Sequence, residues 1–160
     1  MYKRNINLPS GGNIVIDSTE ALVSIDVNSA RSTKGSDIEE TALNTNIEAA
    51  VEILTQLKLR DIGGLVVIDF IDMMSINSQK NVMRKVAEYA KKDKAKIQFA
   101  RISKFGLMEL SRQKLKSSII QNNYENCPTC DGTGQIKSLS SLAISVLRII
   151  EEEAINSKNK

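Results

Sequence analysis

Residues 65–69 read LVVID, a short β-branched run that ends in a carboxylate. A continuous apolar run of this length predicts a strand that is buried on both faces. Residues 21–26 read ALVSID, a second run that ends in an aspartate. The stretch between the two runs has helical periodicity, so the segment predicts a strand–helix–strand unit. If its strands join one sheet, they run parallel and end at the same edge.

The helix of this unit is predicted to fill residues 36–60. Ser36 and Glu39 fit a capping box, with a side-chain oxygen at the cap and a glutamate three residues later. Gly63 and Gly64 are predicted to end the helix by supplying a left-handed cap. Its apolar face is formed by residues spaced three and four apart, namely Leu43, Ile47, Ala50, Leu54 and Leu57.

Further elements are predicted on both sides of this unit, whereas residues 1–12 read as a lead-in without an element. Strands are predicted at residues 13–17, 21–28, 94–100 and 105–112, helices at 78–92 and 138–154, and a Gly-, Asn- and Cys-rich linker at 121–135. The predicted fold class is therefore α/β (α+β), with a mixed sheet flanked by helices, followed by a loop and a C-terminal helix.

Composition limits the class of protein. At 160 residues, of which 41% are apolar, the chain is long enough for one compact domain with a short appendage. No apolar stretch approaches the length of about 18 residues that a membrane span needs, so no transmembrane segment is predicted. The basic N-terminus lacks the apolar stretch of a signal peptide, which makes the cytosol the expected location.

Basic residues concentrate in one part of the chain. Residues 84–116 hold eleven of the 22 Lys and Arg residues but only three acids. Such a stripe can neutralise phosphates, and the alternative is a solvated helix face and strand edge. The residues predicted to contact phosphate are Arg101, Lys104, Arg112 and Lys114.

Two aspartates and one asparagine are predicted to form a metal site. Asp26 and Asp69 end two strands that lie about 5 Å apart if they are neighbours, so both can reach one cation. Asn28 projects on the same side as Asp26 and offers an amide oxygen as a third ligand. This set suits Mg²⁺, which binds phosphate oxygens and keeps several waters. The alternative is that both aspartates cap loops or pair with basic side chains. Asp72 is a candidate hydrogen-bond acceptor for the groups that bind the metal, although an ordinary surface-loop role is favoured for it.

The chain contains no histidine, which bears on the predicted chemistry. A bound Mg²⁺ can polarise a phosphodiester, lower the pKa of its water and stabilise the departing 3′-oxyanion. Without histidine, hydrolysis is favoured over a path through the ribose 2′-hydroxyl, so the expected products carry a 5′-phosphate and a 3′-hydroxyl. A phosphate-loop NTPase is disfavoured because no Gly-rich loop ends in Gly-Lys-Ser/Thr.

Cys127 and Cys130 stand in the sequence CPTCDGTG at residues 127–134. The spacing and the turn-forming residues are those of half a zinc knuckle. Because the chain has two cysteines and no histidine, a second copy is predicted to supply the other two thiolates of a shared Cys₄ site. A weak site completed by a carboxylate or water, a redox pair without a thioredoxin-like context, and a reduced pair without metal remain alternatives. A chaperone-type zinc repeat needs several copies of the motif.

Several motifs together resemble the ribonuclease E/G family, over about residues 8–137. A match of this length and order is highly specific, and the stretch FGLMELSR at residues 105–112 is closer to the E branch than to the G branch. The other stretches are LPSGG at 8–12, IDVNS at 25–29, DIEET at 37–41, NTN at 44–46, RDIGG at 60–64, VIDFIDM at 67–73 and CPTCDGTG at 127–134.

The resemblance assigns site residues. It places the family's Mg²⁺-binding aspartates at Asp26 and Asp69 and its accompanying asparagine at Asn28. It places the zinc-link cysteines at Cys127 and Cys130, where two protomers each contribute two thiolates. The implied activity is endonucleolytic cleavage of single-stranded, AU-rich RNA in rRNA processing and mRNA decay, by a dimer of dimers.

The resemblance also implies a domain organisation. Residues 1–120 would form a DNase-I-like catalytic subdomain, residues 121–137 the zinc-link loop, and residues 138–160 the start of a small C-terminal domain. The family carries an OB-fold, a 5′-end sensor and an RNase-H-like subdomain before this segment. We therefore expect a fragment, a truncated reading frame or one piece of a split enzyme whose RNA-binding domains lie on another chain. The expected location is the bacterial cytoplasm, with inner-membrane contact through regions outside this sequence. The alternative function is a zinc-linked RNA-binding or assembly fragment that is inactive alone.

Overall fold

A computed structural model describes residues 3–30, 38–115, 125 and 127–158. The described residues fall into two compact units, one within residues 1–123 and one within residues 124–160. In chain order, the first unit contains β1 (Asn5–Asn7), β2 (Asn13–Ser18), β3 (Val23–Asn28), α1 (Ile38–Leu59), β4 (Gly64–Asp69), α2 (Ile76–Ala90), β5 (Ile97–Phe99) and β6 (Leu107–Arg112). The second contains α3 (Leu139–Lys158).

The six strands form one mixed sheet in the order β1-β2-β3-β4-β6-β5. Only the central pair, β3 and β4, is parallel among these strands, and α1 connects them. Because these strands pair in parallel, their carboxyl ends lie at the same edge of the sheet. The predicted strand–helix–strand unit and the mixed α+β class are therefore confirmed.

Helix α1 covers the sheet and organises the core. It packs against β2, β3 and α2 through a face that includes Ala49, Ile53 and Leu57, each fully buried. Alternate residues of four strands are buried in the same core. They are Ile14 and Ile16 on β2, Val23, Ile25 and Val27 on β3, Val66 and Ile68 on β4, and Met108 and Leu110 on β6.

The expectation that residues 65–69 form a strand buried on both faces is wrong. Val66 and Ile68 are buried. In contrast, Leu65 is 45% exposed, and Val67 is only half-buried. The strand therefore has one covered and one partly open face in the described part of the chain. Its apolar run reflects β-branched residues suited to a central strand position as well as burial.

The end of α1 differs from the predicted glycine cap. Asp61 takes the left-handed conformation, with φ of 51°, while the N–H of Ile62 donates to the carbonyl of Leu57 and that of Asp61 to the carbonyl of Lys58. These two bonds form a Schellman motif, and the buried Leu57 and Ile62 supply its apolar contact. An aspartate can fill this position because its short polar side chain tolerates φ above zero. The predicted cap at Ser36 lies outside the described residues.

Other boundaries need smaller corrections. Strand β1 lies within the segment expected to be a lead-in, where it pairs with β2. Strand β5 has three residues rather than the expected seven, and the predicted linker at residues 121–135 is described only in part. Helix α2 begins at Ile76. Ser75 is its N-cap, and the Ser75 side chain accepts a hydrogen bond from the Ser78 N–H at 3.4 Å. Helix α3 continues to Lys158, beyond the predicted end.

The second unit consists of the cysteine loop and α3. The apolar seam predicted for α3 is exposed, with values of 86% for Leu139, 51% for Leu142, 48% for Val146 and 61% for Ile149. Among the described helices, none combines the length and the apolarity that crossing a bilayer requires.

Candidate metal centre

The two predicted metal-binding aspartates lie opposite one another. Asp26 on β3 and Asp69 on β4 are register partners in the parallel pair. Asp69 is the last residue of β4, and Asp26 lies two residues before the end of β3. Neighbouring strands are about 4.8 Å apart, so the two backbones approach as closely as sheet geometry allows. Both side chains are exposed, and both line a shallow cleft together with Asn28, Asp72 and Phe105. The sequence thus predicted the convergence of Asp26, Asn28 and Asp69 at one edge.

Asn28 contacts Asp26 directly. Its Nδ2 atom donates a hydrogen bond of 2.8 Å to Oδ2 of Asp26. The two side chains lie on the same side of β3 because they are two residues apart on an extended strand. Asn28 therefore orients the carboxylate, and the oxygen of the same amide is the atom predicted to approach a cation.

The cleft concentrates negative charge at Asp69. Burial raises the pKa of Asp69, and the neighbouring carboxylates of Asp26 and Asp72 raise it further. A divalent cation would relieve this repulsion, because an opposite charge favours the ionised form of both aspartates. Asp72 is exposed, as expected for a loop residue, but it also belongs to the cleft.

The donor set fits a hard, partly hydrated cation. Across the residues with described positions, His, Cys, Asp and Glu side chains do not gather in threes to make a metal cage. Besides Asp72 in the following loop, the strand ends offer two carboxylates and one amide, which leaves several positions for water and for a phosphate oxygen. That arrangement matches Mg²⁺, which is commonly held by one or two carboxylates plus substrate phosphate.

Two polar residues of α1 fix the loop that follows Asp69. Asn46 is fully buried, and its amide bonds the backbone of Ile71 twice, donating to the carbonyl at 2.8 Å and accepting from the N–H at 3.0 Å. Glu39 accepts hydrogen bonds from the N–H groups of Met74 and Ser75 at 2.9 and 3.1 Å. Hydrogen bonding from the Ser78 side chain and then from these two N–H groups lowers the pKa of Glu39.

The sequence interpretation assigned Asn46 no role and took Glu39 for the glutamate of a capping box, whereas its carboxylate accepts from the N–H groups of Met74 and Ser75. A signal was nevertheless present, because Asn46 is a polar residue between the apolar positions 43, 47 and 50 of an amphipathic helix. A buried amide needs hydrogen-bond partners, and an irregular loop that enters the core can supply them. Which loop does so cannot be read from the helix alone.

A turn before β6 closes the other side of the cleft. Gly106 has φ of 76°, and its carbonyl accepts a hydrogen bond from the N–H of Phe70 at 3.2 Å. A Cβ atom at this position would lie 3.1 Å from the carbonyl oxygen of Phe70 and 3.2 Å from Oδ1 of Asp72. Glycine therefore permits both the backbone conformation and the close approach of the turn to the acidic loop.

We expect Gly106→Ala to disturb the cleft more than it disturbs the fold. The left-handed backbone costs an alanine about 1 to 2 kcal/mol, and the new methyl must also displace Asp72 or the Phe70 carbonyl. Gly64→Ala is the matched control, because Gly64 also has a positive φ of 98° but its added Cβ meets no atom of another described residue within 4 Å. Urea unfolding should show a loss for both variants from the left-handed backbone, whereas the RNA cleavage implied by the resemblance should fall only for Gly106→Ala. Equal activity of the two variants would contradict a role for this turn.

The four predicted phosphate contacts separate into two groups. Arg101 and Lys104 are exposed in the β5–β6 connection, which enters β6 at Leu107, the register partner of Asp69. Lys114 lies past the other end of β6, where Arg112 pairs with Gly64 at the start of β4. Five residues along a strand span roughly 17 Å, so Lys114 is at the opposite end of the sheet from the aspartates.

The prediction that Arg112 contacts phosphate is wrong for this fold. Arg112 is 3% exposed, and its guanidinium donates to both carboxylate oxygens of Asp93 at 2.8 and 3.2 Å and to the carbonyl of Ile62 at 2.8 Å. Its strand position places it on the same face as the buried Met108 and Leu110. The guanidinium is therefore a structural cation that joins β6 to two loops.

The cysteine loop of the second unit holds two free thiols, an exposed one at Cys127 and a half-buried one at Cys130. Backbone N–H groups of Thr129 and Cys130 lower the pKa of Cys127, and side-chain hydrogen bonds from Cys130 and Thr129 lower it further. The carbonyl of Cys127 accepts from the N–H of Asp131 at 2.8 Å, which closes the turn. N–H groups directed at a thiolate favour the form that binds metal.

These features define the class of protein to which the chain belongs. The first unit is a mixed α+β domain with an acidic cleft where its parallel strands end, and the second carries a paired-cysteine loop. A family model described as "Ribonuclease E/G family" matches residues 1–115, and a model described as "RNase E/G, Thioredoxin-like domain" matches residues 126–160. The chain therefore belongs to the ribonuclease E/G family.

Curated relatives agree with this assignment. The chain is 56% identical to "Ribonuclease E" of Haemophilus influenzae over 99% of its own length and 17% of the relative's. It is 56% identical to "Ribonuclease E" of Escherichia coli K12 over 96% and 14%. "Ribonuclease G" of the same strain is 35% identical over 92% and 30%. The chain thus spans about a sixth of these ribonuclease E relatives, and the higher identity to ribonuclease E agrees with the predicted E-like branch.

One statement about the cysteine pair needs correction. We expected no thioredoxin-like context around residues 127–130, yet the family description for residues 126–160 names a thioredoxin-like domain. The redox alternative therefore has to be tested alongside zinc binding.

Proposed function

We propose that this chain is the metal-binding, RNA-cleaving segment of an endoribonuclease. It would hydrolyse phosphodiester bonds of single-stranded RNA with Mg²⁺ as cofactor. The observation that carries the proposal is the parallel register of Asp26 and Asp69, which brings two carboxylates to one edge of the sheet. Membership of the ribonuclease E/G family supports the reaction class.

The three predicted ligands of the cleft have distinct roles in this proposal. Asp26 and Asp69 would hold the cation, and Asn28 orients Asp26 and offers its amide oxygen. When bound, the cation supplies Lewis-acid polarisation of the phosphodiester and acidifies water. Arg101 and Lys104 lie at the same edge and would neutralise phosphates of the RNA backbone.

The absence of histidine from the sequence supports hydrolysis by water. Histidine is the side chain that most readily moves protons near neutral pH, and an attack by the ribose 2′-hydroxyl would need such a base. The products are therefore expected to carry a 5′-phosphate and a 3′-hydroxyl.

A cleavage assay with 5′-monophosphorylated single-stranded RNA tests the proposal. The full chain should cleave in Mg²⁺, stop in EDTA and leave 5′-phosphorylated products that a ligase accepts. Asp26→Asn should be nearly inactive, because the first metal carboxylate is lost. Equal cleavage by wild type and Asp26→Asn would overturn the assignment of the site.

A second candidate function is a zinc-linked RNA-binding or assembly fragment that is inactive alone. The two free thiols of the cysteine loop support it. RNA binding without cleavage by either protein, in the same assay, would support this candidate. Activity restored by a separate chain that carries the family's RNA-binding domains would instead support a split enzyme.

We expect zinc to join two copies of this chain. The structure describes one pair of thiols, so a tetrahedral site completed by thiolates needs a second pair. Zinc analysis should give one ion per two chains, and Cys127→Ser with Cys130→Ser should convert the zinc-dependent dimer to monomer. A chelator should have the same effect as the double substitution. Metal-free dimers, or a disulfide that forms and breaks with glutathione, would contradict the zinc link and favour the redox alternative.

The wider cellular role follows from the same proposal. Residues 1–120 would be the catalytic subdomain, residues 121–137 the zinc link and residues 138–160 the start of a small domain that helps to build a dimer of dimers. The curated relatives named above are bacterial, which supports action in the bacterial cytoplasm on rRNA precursors and mRNA. Contact with the inner membrane would come from regions outside this sequence.

A further inference from the structure

Phe105 is an exposed aromatic residue beside the acidic cleft. It is 81% exposed and lines the cleft with Asp26, Asp69 and Asp72. The other two phenylalanines behave as core residues, since Phe70 is 3% exposed and Phe99 packs against the core. Leaving a phenyl ring in water forgoes roughly 1.5 to 3 kcal/mol of burial, which makes its position notable.

Hydrogen bonds hold the backbone around Phe105 in place. The N–H of Phe105 donates to Oγ of Ser103 at 3.2 Å, and the N–H of Gly106 donates to the carbonyl of Ser103 at 3.2 Å. The carbonyl of Gly106 accepts from Phe70, and the N–H of Ser103 donates to the carbonyl of Leu107 at 2.8 Å. The turn is thus tied to Phe70, which follows Asp69 in the chain, and to Leu107 at the start of β6, so the backbone of Phe105 is held beside the cleft.

The chemistry of the ring limits what it can bind there. A phenyl group cannot neutralise phosphate or ligate a cation, but it can stack on the flat face of a nucleobase. Only an unpaired base exposes that face, because bases within a duplex already stack on their neighbours. Arg101 and Lys104 lie in the same connection and can neutralise the phosphates on either side of such a base.

We propose that Phe105 is a stacking platform for an unpaired nucleobase next to the phosphate at the Asp26–Asp69 edge. This inference deepens the proposed function and rests on it, since it places RNA at that edge. It gives a structural reason for preferring single strands that lies within this chain. Because every base has a π face, the contact selects for lack of pairing rather than for sequence.

The absence of tryptophan from the chain provides a direct binding test. Phe105→Trp introduces a single tryptophan whose fluorescence reports on contact with a base. Oligouridylate should change this fluorescence in Ca²⁺, used in place of Mg²⁺ to slow cleavage. The same ribose-phosphate chain without bases should not change it. The anisotropy of a labelled oligouridylate measures total RNA binding in parallel.

The outcomes separate the inference from the proposed function. RNA binding without a tryptophan change, or an equal change with the base-free chain, overturns the stacking platform and leaves the nuclease proposal intact. No RNA binding by anisotropy overturns both. A base-dependent tryptophan change supports the platform even if the chain does not cleave.

Kinetics with matched variants add a second test. Phe105→Leu keeps an apolar side chain but removes the π face, and should raise KM for single-stranded RNA by about 5- to 100-fold. Phe105→Tyr keeps the ring and should stay within about threefold of wild type, because stacking is retained. Unchanged melting temperatures would show that both variants fold. A loss in kcat with unchanged KM, or equal KM values for Leu and Tyr, would contradict the stacking role.

Discussion

Replacing Asp69 by asparagine should lower the rate of RNA cleavage by at least about a hundredfold. Asparagine keeps the size of the side chain and one oxygen, but it removes the charge that would hold a divalent cation opposite Asp26. Charge stabilisation at the reacting phosphate would be lost with the cation. Excess Mg²⁺ should restore part of the rate, because the remaining Asp26 and Asn28 still offer oxygens. Single-turnover cleavage at several Mg²⁺ concentrations measures both effects.

Asp61→Asn is the matched control for this substitution. Asp61 lies at the end of α1 in a left-handed conformation that asparagine also tolerates, and it precedes β4 at the other end of the strand from Asp69. The same chemical change at Asp61 should leave cleavage within about twofold, since it touches neither the cation nor the phosphate. If Asp61→Asn lost as much activity as Asp69→Asn, the loss would reflect general charge or stability and not the cleft.

The stability of Asp69→Asn should change in the opposite direction from its activity. Burial and the charges of Asp26 and Asp72 raise the pKa of Asp69 in the folded protein. The folded state then binds the proton more tightly than the unfolded state, so stability falls as pH rises from the unfolded value of about 3.9 through the folded pKa. In a chelator at neutral pH, the variant should be more stable than wild type. That gain should shrink at acid pH, where the carboxyl is protonated in both states.

Removing the partner of Arg112 should have the largest effect on stability. Asp93→Ala leaves a buried guanidinium without its carboxylate, because the two side chains are only 5% and 2% exposed and meet at 2.8 Å. Breaking a buried ion pair in this way costs about 3 to 5 kcal/mol. That is a large part of the roughly 5 to 15 kcal/mol that holds a domain together. Urea unfolding followed by circular dichroism measures the loss.

An exposed ion pair in the same region provides the control. Glu88 accepts hydrogen bonds from Lys85 and Lys92 at 3.0 Å each, but all three side chains are open to solvent. Glu88→Ala should therefore cost at most about 1 kcal/mol. Replacing both buried partners by apolar residues, as in Asp93→Leu with Arg112→Met, should recover much of the loss of Asp93→Ala. A loss for Asp93→Ala no larger than that for Glu88→Ala would refute the structural role of Arg112.

The pH dependence of this pair gives a further check. Burial alone would raise the pKa of Asp93, but hydrogen bonds from Arg112 and the Ala95 N–H, and the charges of Arg112 and Lys58, outweigh it and lower the pKa. The contribution of Asp93 is therefore complete above the unfolded value of about 3.9 and disappears as pH falls through the folded pKa. The difference in unfolding free energy between wild type and Asp93→Ala should shrink in that acid range.

The sequence predicted the central unit and its carboxylates because their signals are local. An apolar β-branched run ending in aspartate, a helix with periodic apolar residues and a second such run imply parallel strands, and parallel strands end at one edge. Asp26 and Asp69 therefore had to meet if β3 and β4 were neighbours, and Asn28 had to project beside Asp26. The paired-cysteine loop was equally local, since its spacing and turn residues are contiguous.

Tertiary structure alone decided how other side chains are used. Arg101 and Arg112 look alike in the sequence, but the register of β6 turns Arg112 into the core beside Asp93, while the β5–β6 connection leaves Arg101 exposed to solvent. Asn46 and Gly106 acquire their roles from a loop that approaches from another part of the chain. Pairing across a sheet and packing between distant segments depend on the summed free energy of the whole fold. A short stretch of residues does not reveal which distant segments will pack against it. The sequence therefore gives the charge of a side chain, but the tertiary structure decides which groups surround it.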